Sequence, residues 1–159
     1  MINELAPMDE KIRYVVQLFY YPMWFVIRDP DVMCPCVNYE TKQAKLGCPI
    51  CLGTGHKIKI VREKAARQTT ESLTARGSGM GFGESNPAER YFTLTDLKLV
   101  EGDIIIDGTN VDIVQWYMPG RTDHTEPVYY RCVASRMKNN KDLFLRAFRN
   151  LIRKAGYEL

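Results

Sequence analysis

A chain of 159 residues with 45% hydrophobic and 26% charged side chains has room for one domain with a real core, and that balance excludes a disordered or fibrous protein. A net charge of +3 is too small to demand a nucleic acid or an anionic membrane as partner. Its distribution is lopsided, with eight basic and two acidic residues between Arg131 and the C-terminus.

Glu4, Asp9 and Glu10 interrupt the start, so the profile of a secretory signal is missing. The longest apolar run, Leu18 to Ile27, is ten residues with Pro22 inside it, well short of the roughly 20 that a membrane-spanning helix needs. Residence in a cytoplasm and no membrane partner are expected. In that reducing setting, grouped cysteines bind metal more often than they pair.

Met8 to Tyr21 reads two ways. Ile12, Val15, Val16 and Phe19 would share one helix face, yet VVQLFYY is equally rich in strand formers. Pro22 ends this segment, and MWFVIRDPD reads as an extended piece closing in a turn at Asp29-Pro30-Asp31. Residues 1–33 are therefore set apart as an N-terminal arm. Its aromatics, Phe19, Tyr20, Tyr21, Trp24 and Phe25, lean towards an interface outside the barrel.

Residues 34–56 hold four of the five cysteines, as Cys34-x-Cys36, eleven residues, then Cys48-x-x-Cys51. A C-x-x-C pair on a tight turn brings two sulfurs to one ion, and Gly53-Thr54-Gly55 lets the backbone fold back with its amides towards thiolate. A proline-fixed bend aims Cys34 and Cys36 to the same side. Tetrahedral zinc on Cys34, Cys36, Cys48 and Cys51 is the expected occupant, as a structural site. Disulfides are disfavoured by compartment and by the strain of bridging Cys34 to Cys36. A redox C-x-x-C would open a helix, whereas Gly-Thr-Gly follows here. An iron–sulfur cluster uses the same ligands, but its common spacings differ. His56 is an alternative ligand, although a histidine opening a strand beside a metal loop is more often a neighbour. Cys132, alone in a strand, reads as a small core residue.

Residues 57–137 read as the barrel core. His56 to Val61 alternates with period two, and Arg67 to Leu73 is a weaker strand candidate. Gly77 to Pro87, with four glycines in seven residues, is a loop. Strands are expected at 91–95, 103–107, 111–117 and 127–134, separated by turn signals at Glu101-Gly102-Asp103, Asp107-Gly108 and Met118 to Glu126. Strands this short and this regularly spaced point to an antiparallel barrel or sandwich. Residues 138–159 change period: Leu143, Phe144, Ala147, Phe148, Leu151 and Ile152 line one side of an amphipathic helix. Arg146, Arg149, Arg153 and Lys154 cover the other side, and Gly156 terminates it. That basic side is either a solvated face or a contact for DNA or an acidic partner.

Catalytic motifs fail on inspection. GTGHK lacks the lysine and hydroxyl residue of a phosphate loop, and GSGMGFG opens no helix. Only two histidines exist, and His124 sits in a polar loop. No enzyme is expected.

Taken together, CPCVNYETKQAKLGCPICLGTG at 34–55, YFTLTDLKLVEGDIIIDG at 91–108 and VYYRCVA at 128–134 resemble the head-completion or stopper proteins of the tailed-bacteriophage neck, over about the middle two thirds of the chain. CPICLGTG also looks like one C-x-x-C-x-G-x-G unit of the DnaJ chaperone zinc domain, which uses four such units where this chain has one. The neck resemblance implies a mainly β protein: a small antiparallel β-barrel with a zinc-stapled loop, an N-terminal arm and a C-terminal helix. It implies a structural virion protein assembled in the host cytoplasm, which forms a ring with itself and joins portal–adaptor and tail proteins. Packaged DNA in the lumen is an implied contact, with Gly77 to Pro87 and Met118 to Glu126 as candidate contact loops. The alternative function is a zinc-ribbon nucleic-acid-binding protein that uses the knuckle and the basic helix; a thiol chaperone or redox protein is a third.

Overall fold

A computed structural model describes residues 7–69, 88–121 and 126–157. In chain order it contains helix α1 (Met8–Leu18), strands β1 (Tyr21–Met33), β2 (His56–Thr69), β3 (Ala88–Thr93), β4 (Ile104–Asp107), β5 (Asn110–Gly120) and β6 (Tyr129–Arg136), and helix α2 (Lys141–Lys154). The strands close into one antiparallel barrel in the order β1-β2-β3-β6-β5-β4. The mainly β barrel read from strand spacing is thus the fold. The glycine-rich stretch Gly77–Pro87, residues 70–73 and His124 lie outside the described residues, as does part of the expected Met118–Glu126 loop. The rest of that loop is shorter than expected, because β5 runs on to Gly120.

The N-terminal arm needs correction. Its ambiguous segment is helical from Met8 to Leu18, and its extended piece is a full barrel strand that carries on through Pro30 to Met33 in place of turning there. Proline is tolerated because Pro22 is the second residue of β1 and Pro30 lies in its exposed outer half, where little depends on a ladder hydrogen bond. Phe25, assigned to an interface, is completely buried, and Trp24 is half-buried under the Arg62 guanidinium at 5.3 Å from its ring centroid.

Two compact units divide the chain, one of residues 1–25 and 62–136, the other of residues 26–61 and 137–159. The first has a core of Met23, Phe25, Tyr91, the run Ile104 to Ile106, Val111, Val114 and Ala134. A bulge between Val114 and Trp116 shifts the β5–β6 register. Gly120 has a packing reason: a Cβ there would fall 2.2 Å from the ring of Tyr129, its cross-strand partner. In the second unit, α2 buries Phe144, Leu145, Phe148 and Ile152, with the two rings stacked 6.5 Å apart. The buried stripe is rotated from the expected one: Leu145 is inside, and Leu143 is 39% exposed.

The first unit also contains a polar chain that sequence periodicity did not suggest. Tyr21 donates to Asp107 at 2.8 Å, and Asp107 pairs with Arg67 at 2.9 Å. Arg67 in turn pairs with Glu89 at 3.1 Å, and Glu89 with Arg136 at 3.2 Å. Arg136 lies 3.6 Å from Asp112, which accepts a hydrogen bond from Tyr91. Each of the six strands contributes at least one member. The residues sit at the starts of β1, β3 and β5 and near the ends of β2, β4 and β6, which in an antiparallel barrel is a single mouth. Glu89, Tyr91 and Asp112 are buried.

The tyrosines make this network sensitive to alkali. Burial, then the hydrogen bond to Asp107, pushes Tyr21 up to about 12, and burial pushes Tyr20 to about 12. Burial and Asp112 push Tyr91 higher still. A phenol whose folded value is raised above its ordinary value near 10 adds stability that is fully present below pH 10 and lost as pH climbs through the folded value. Unfolding free energy is therefore expected to hold steady to about pH 9.5 and then to fall. In absorbance at 295 nm, the exposed fraction of the nine tyrosines should ionise first and Tyr91 only on unfolding. A single transition near pH 10 for all nine in the folded protein would contradict this.

Candidate metal centre

The 34–55 loop leaves β1 and returns into β2, and its two ends are tied by the Cys34 amide donating to the Gly55 carbonyl at 2.8 Å. Few of its residues are apolar enough to fold it alone. Local turns organise it instead: Asn38 Oδ1 accepts from the Glu40 and Thr41 amides, and the Asn38 amide donates to Gln43. Around the second cysteine pair, the Leu52 amide donates to Cys48 and the Thr54 amide to Cys51. Gly53 and Gly55 adopt φ of +86° and +80°, a left-handed backbone available to glycine at little cost. Leu52 adopts φ +55°, unusual for a bulky residue, and is buried.

These turns bring four sulfurs together. The Sγ atoms of Cys34, Cys36, Cys48 and Cys51 all lie within 4.8 Å of one another, with Cys34 to Cys48 at 3.9 Å and Cys36 to Cys51 at 3.5 Å. Four thiolates around a tetrahedral ion, each about 2.3 Å from it, stand about 3.8 Å apart. A disulfide would put two sulfurs near 2.05 Å, and all five cysteines are free thiols. The four expected ligands are therefore in one place, and the group can hold a metal ion. Cys34, Cys48 and Cys51 are buried, and with Val37 and Ala44 they form a small core.

Burial alone works against ionising such a cluster. It pushes the Cys34 thiol up, and it pushes Cys51 up to about 12 against the amides of Gly55 and Gly53. At Cys48 burial acts in the same direction but is outweighed by the amides of Cys51 and Ile50 and by neighbouring thiols, which bring it down to about 7. The loop thus aims backbone N–H groups at sulfur, and a bound cation is what makes four adjacent thiolates tolerable.

His56 opens β2 and is not in the sulfur group; its amide faces Thr54 Oγ1 at 3.4 Å. Cys132 is in the barrel core, its thiol raised to about 12 by burial, then by Asp103 and Asp112. Helix α2 leans on the loop at Gly47, where a Cβ would sit 3.2 Å from Leu143 Cδ1. Compared with known protein families and with curated proteins, the chain matches none.

Proposed function

We propose that this protein is a structural component of a phage neck, a zinc-stapled connector that assembles with itself and joins the portal–adaptor assembly to the tail, helping to retain packaged DNA. The resemblance carried by residues 34–55, 91–108 and 128–134 names the assembly. The donor set supports zinc and a bracing role, since four thiolates complete a tetrahedral ion and leave no open position for substrate.

The observation that carries an assembling role is α1. It buries none of its residues, and Met8, Val15, Leu18 and Phe19 are 49–64% exposed. Beneath it an apolar groove of about 660 Å³ runs over Ala66, Phe92 and Tyr129. Exposed apolar surface of this extent marks protein contacts. The purified metal-loaded chain is expected to form closed rings by native mass spectrometry and electron microscopy, alone or on portal–adaptor particles. Val15→Asp with Phe19→Asp should abolish assembly and leave the circular dichroism unchanged. A wild-type chain that stays monomeric at tens of micromolar and ignores portal–adaptor particles would refute the reading.

A further inference from the structure

Charge is divided unevenly between the two units. Residues 26–61 and 137–159 contain eleven basic and five acidic residues, while the rest of the chain contains eleven basic and fourteen acidic. The net charges, +6 and −3, are concealed by the modest total. Four thiolates on a divalent ion would lower the first to +4, still opposite in sign to the second.

The excess is concentrated and unneutralised. Arg146, Arg149 and Arg153 are spaced by three and four residues, so they form one stripe along α2, and all three are exposed, as is Lys154. Among the described residues none of these four has a carboxylate partner, whereas Arg67 and Arg136 of the other unit are both held in ion pairs. Lys42 and Lys45 of the cysteine loop are also exposed and unpaired. The helix dipole accounts for cations in the last turn, Arg153 and Lys154. It does not account for Arg146 and Arg149 mid-helix or for the lysines of the loop. A groove of about 360 Å³ separates the loop at Gly47 and Pro49 from α2, and its polar lining is Asn150, Arg153 and Lys154, all donors on the side chain.

We propose that this face of the second unit binds the phosphate backbone of double-stranded DNA, one phosphate seated in the groove on Asn150, Arg153 and Lys154, and its neighbours on Arg149 and Arg146. From Arg146 to Arg153 the helix rises about 10 Å, and a DNA strand carries one charge per 3.4 Å of axis, so each arginine has a phosphate within reach. Arginine also suits phosphate geometrically, through paired parallel N–H donors. Binding of this kind fixes position without reading sequence. The assignment goes beyond the neck reading and stands without it: a chain that binds DNA but never assembles keeps this surface and loses that reading.

The test uses the full metal-loaded chain and a labelled 25-base-pair duplex of arbitrary sequence, followed by fluorescence anisotropy as salt is raised. With these three phosphates engaged, the slope of log affinity against log salt is expected at about −2.7, roughly a fortyfold loss between 50 and 200 mM. Arg146, Arg149 and Arg153 changed together to Gln should flatten the slope by about 1.8, since Lys154 still holds the groove phosphate, while metal content and circular dichroism stay unchanged. Changing Arg13, Lys64 and Lys98 of the other unit to Gln removes the same charge and should leave binding as it was. Equal losses from the two triple variants, or a wild-type slope shallower than about −1, would overturn the proposal. So would polyglutamate of equal charge competing as well as unlabelled duplex, which would point to an acidic protein instead.

Discussion

Replacing Cys48 and Cys51 together by serine is expected to strip the chain of its metal and unfold the 34–55 loop. The wild-type protein should contain one zinc per chain by elemental analysis, without the visible absorption of an iron–sulfur cluster. The double variant should contain none. Structural zinc contributes an apparent binding free energy of about 10–16 kcal/mol near neutral pH, as large as the whole stability of an ordinary domain, about 5–15 kcal/mol. A loop whose buried core is Cys34, Val37, Cys48 and Cys51 has nothing of that size to replace it. Hydrogen exchange should therefore show amides of residues 34–55 losing protection, including Cys34, Leu52 and Thr54, whose hydrogen bonds close the loop. The β3–β6 ladder, paired from Ala88 to Thr93, should keep its protection. A strong zinc chelator should reproduce the pattern, and Cys132→Ala should leave the metal in place. If the double variant keeps its protection across 34–55 and melts within a degree or two of wild type, the sulfur cluster is not a metal staple.

What was legible in the sequence differs between the two polar clusters for a physical reason. The four thiols fall within eighteen residues, and metal-ligand spacing is a local property, so the site could be read without knowing the fold. Strands at 91–95, 103–107, 111–117 and 127–134 were legible because β-branched and aromatic residues are punctuated there by Gly and Asp turns. β1 was read as an extended piece but set outside the barrel and ended at Asp29-Pro30-Asp31, because Pro22 and Pro30 read as breaks, and a proline's cost depends on whether its N–H is needed, which only the pairing reveals. The stripe on α2 was rotated because Leu145 interrupts the three-and-four spacing taken as the core side. The mouth network was invisible for a deeper reason. Tyr21, Arg67, Glu89, Asp107, Asp112 and Arg136 are scattered over 116 positions, and read alone they fall into unrelated features, among them an arm aromatic, a weak strand, a turn signal, and positions just outside the expected strands. Barrel closure and register, such as Arg67 opposite Tyr91 and Asp112 opposite Arg136, turn them into neighbours.

That network should be the most sensitive part of the barrel to a single substitution, and Arg67→Met is the sharpest test. Arg67 is 16% exposed and serves Glu89, itself 5% exposed, and Asp107. Removing the guanidinium leaves the largely buried Asp107 without its cation and Glu89 with only the more exposed Arg136. Breaking a buried pair in this way costs about 3–5 kcal/mol, which for a chain of this size lowers the melting temperature by about 6–20 °C. The same substitution at Arg136, whose side chain is 42% exposed, should cost less, because water takes over part of its role. Two outcomes separate charge from packing. Arg67→Met combined with Glu89→Gln and Asp107→Asn should recover more than half of the loss, since the stranded charges are then gone and methionine fills most of the arginine stem's volume. If Arg67→Met alone costs under about 1 kcal/mol, as an exposed ion pair would, the mouth of the barrel is solvated and the network is a surface decoration. A loss of the expected size that the triple variant does not recover would mean that the guanidinium holds the strands in register through its hydrogen bonds to Glu89 of β3 and Asp107 of β4, and not merely by neutralising charge.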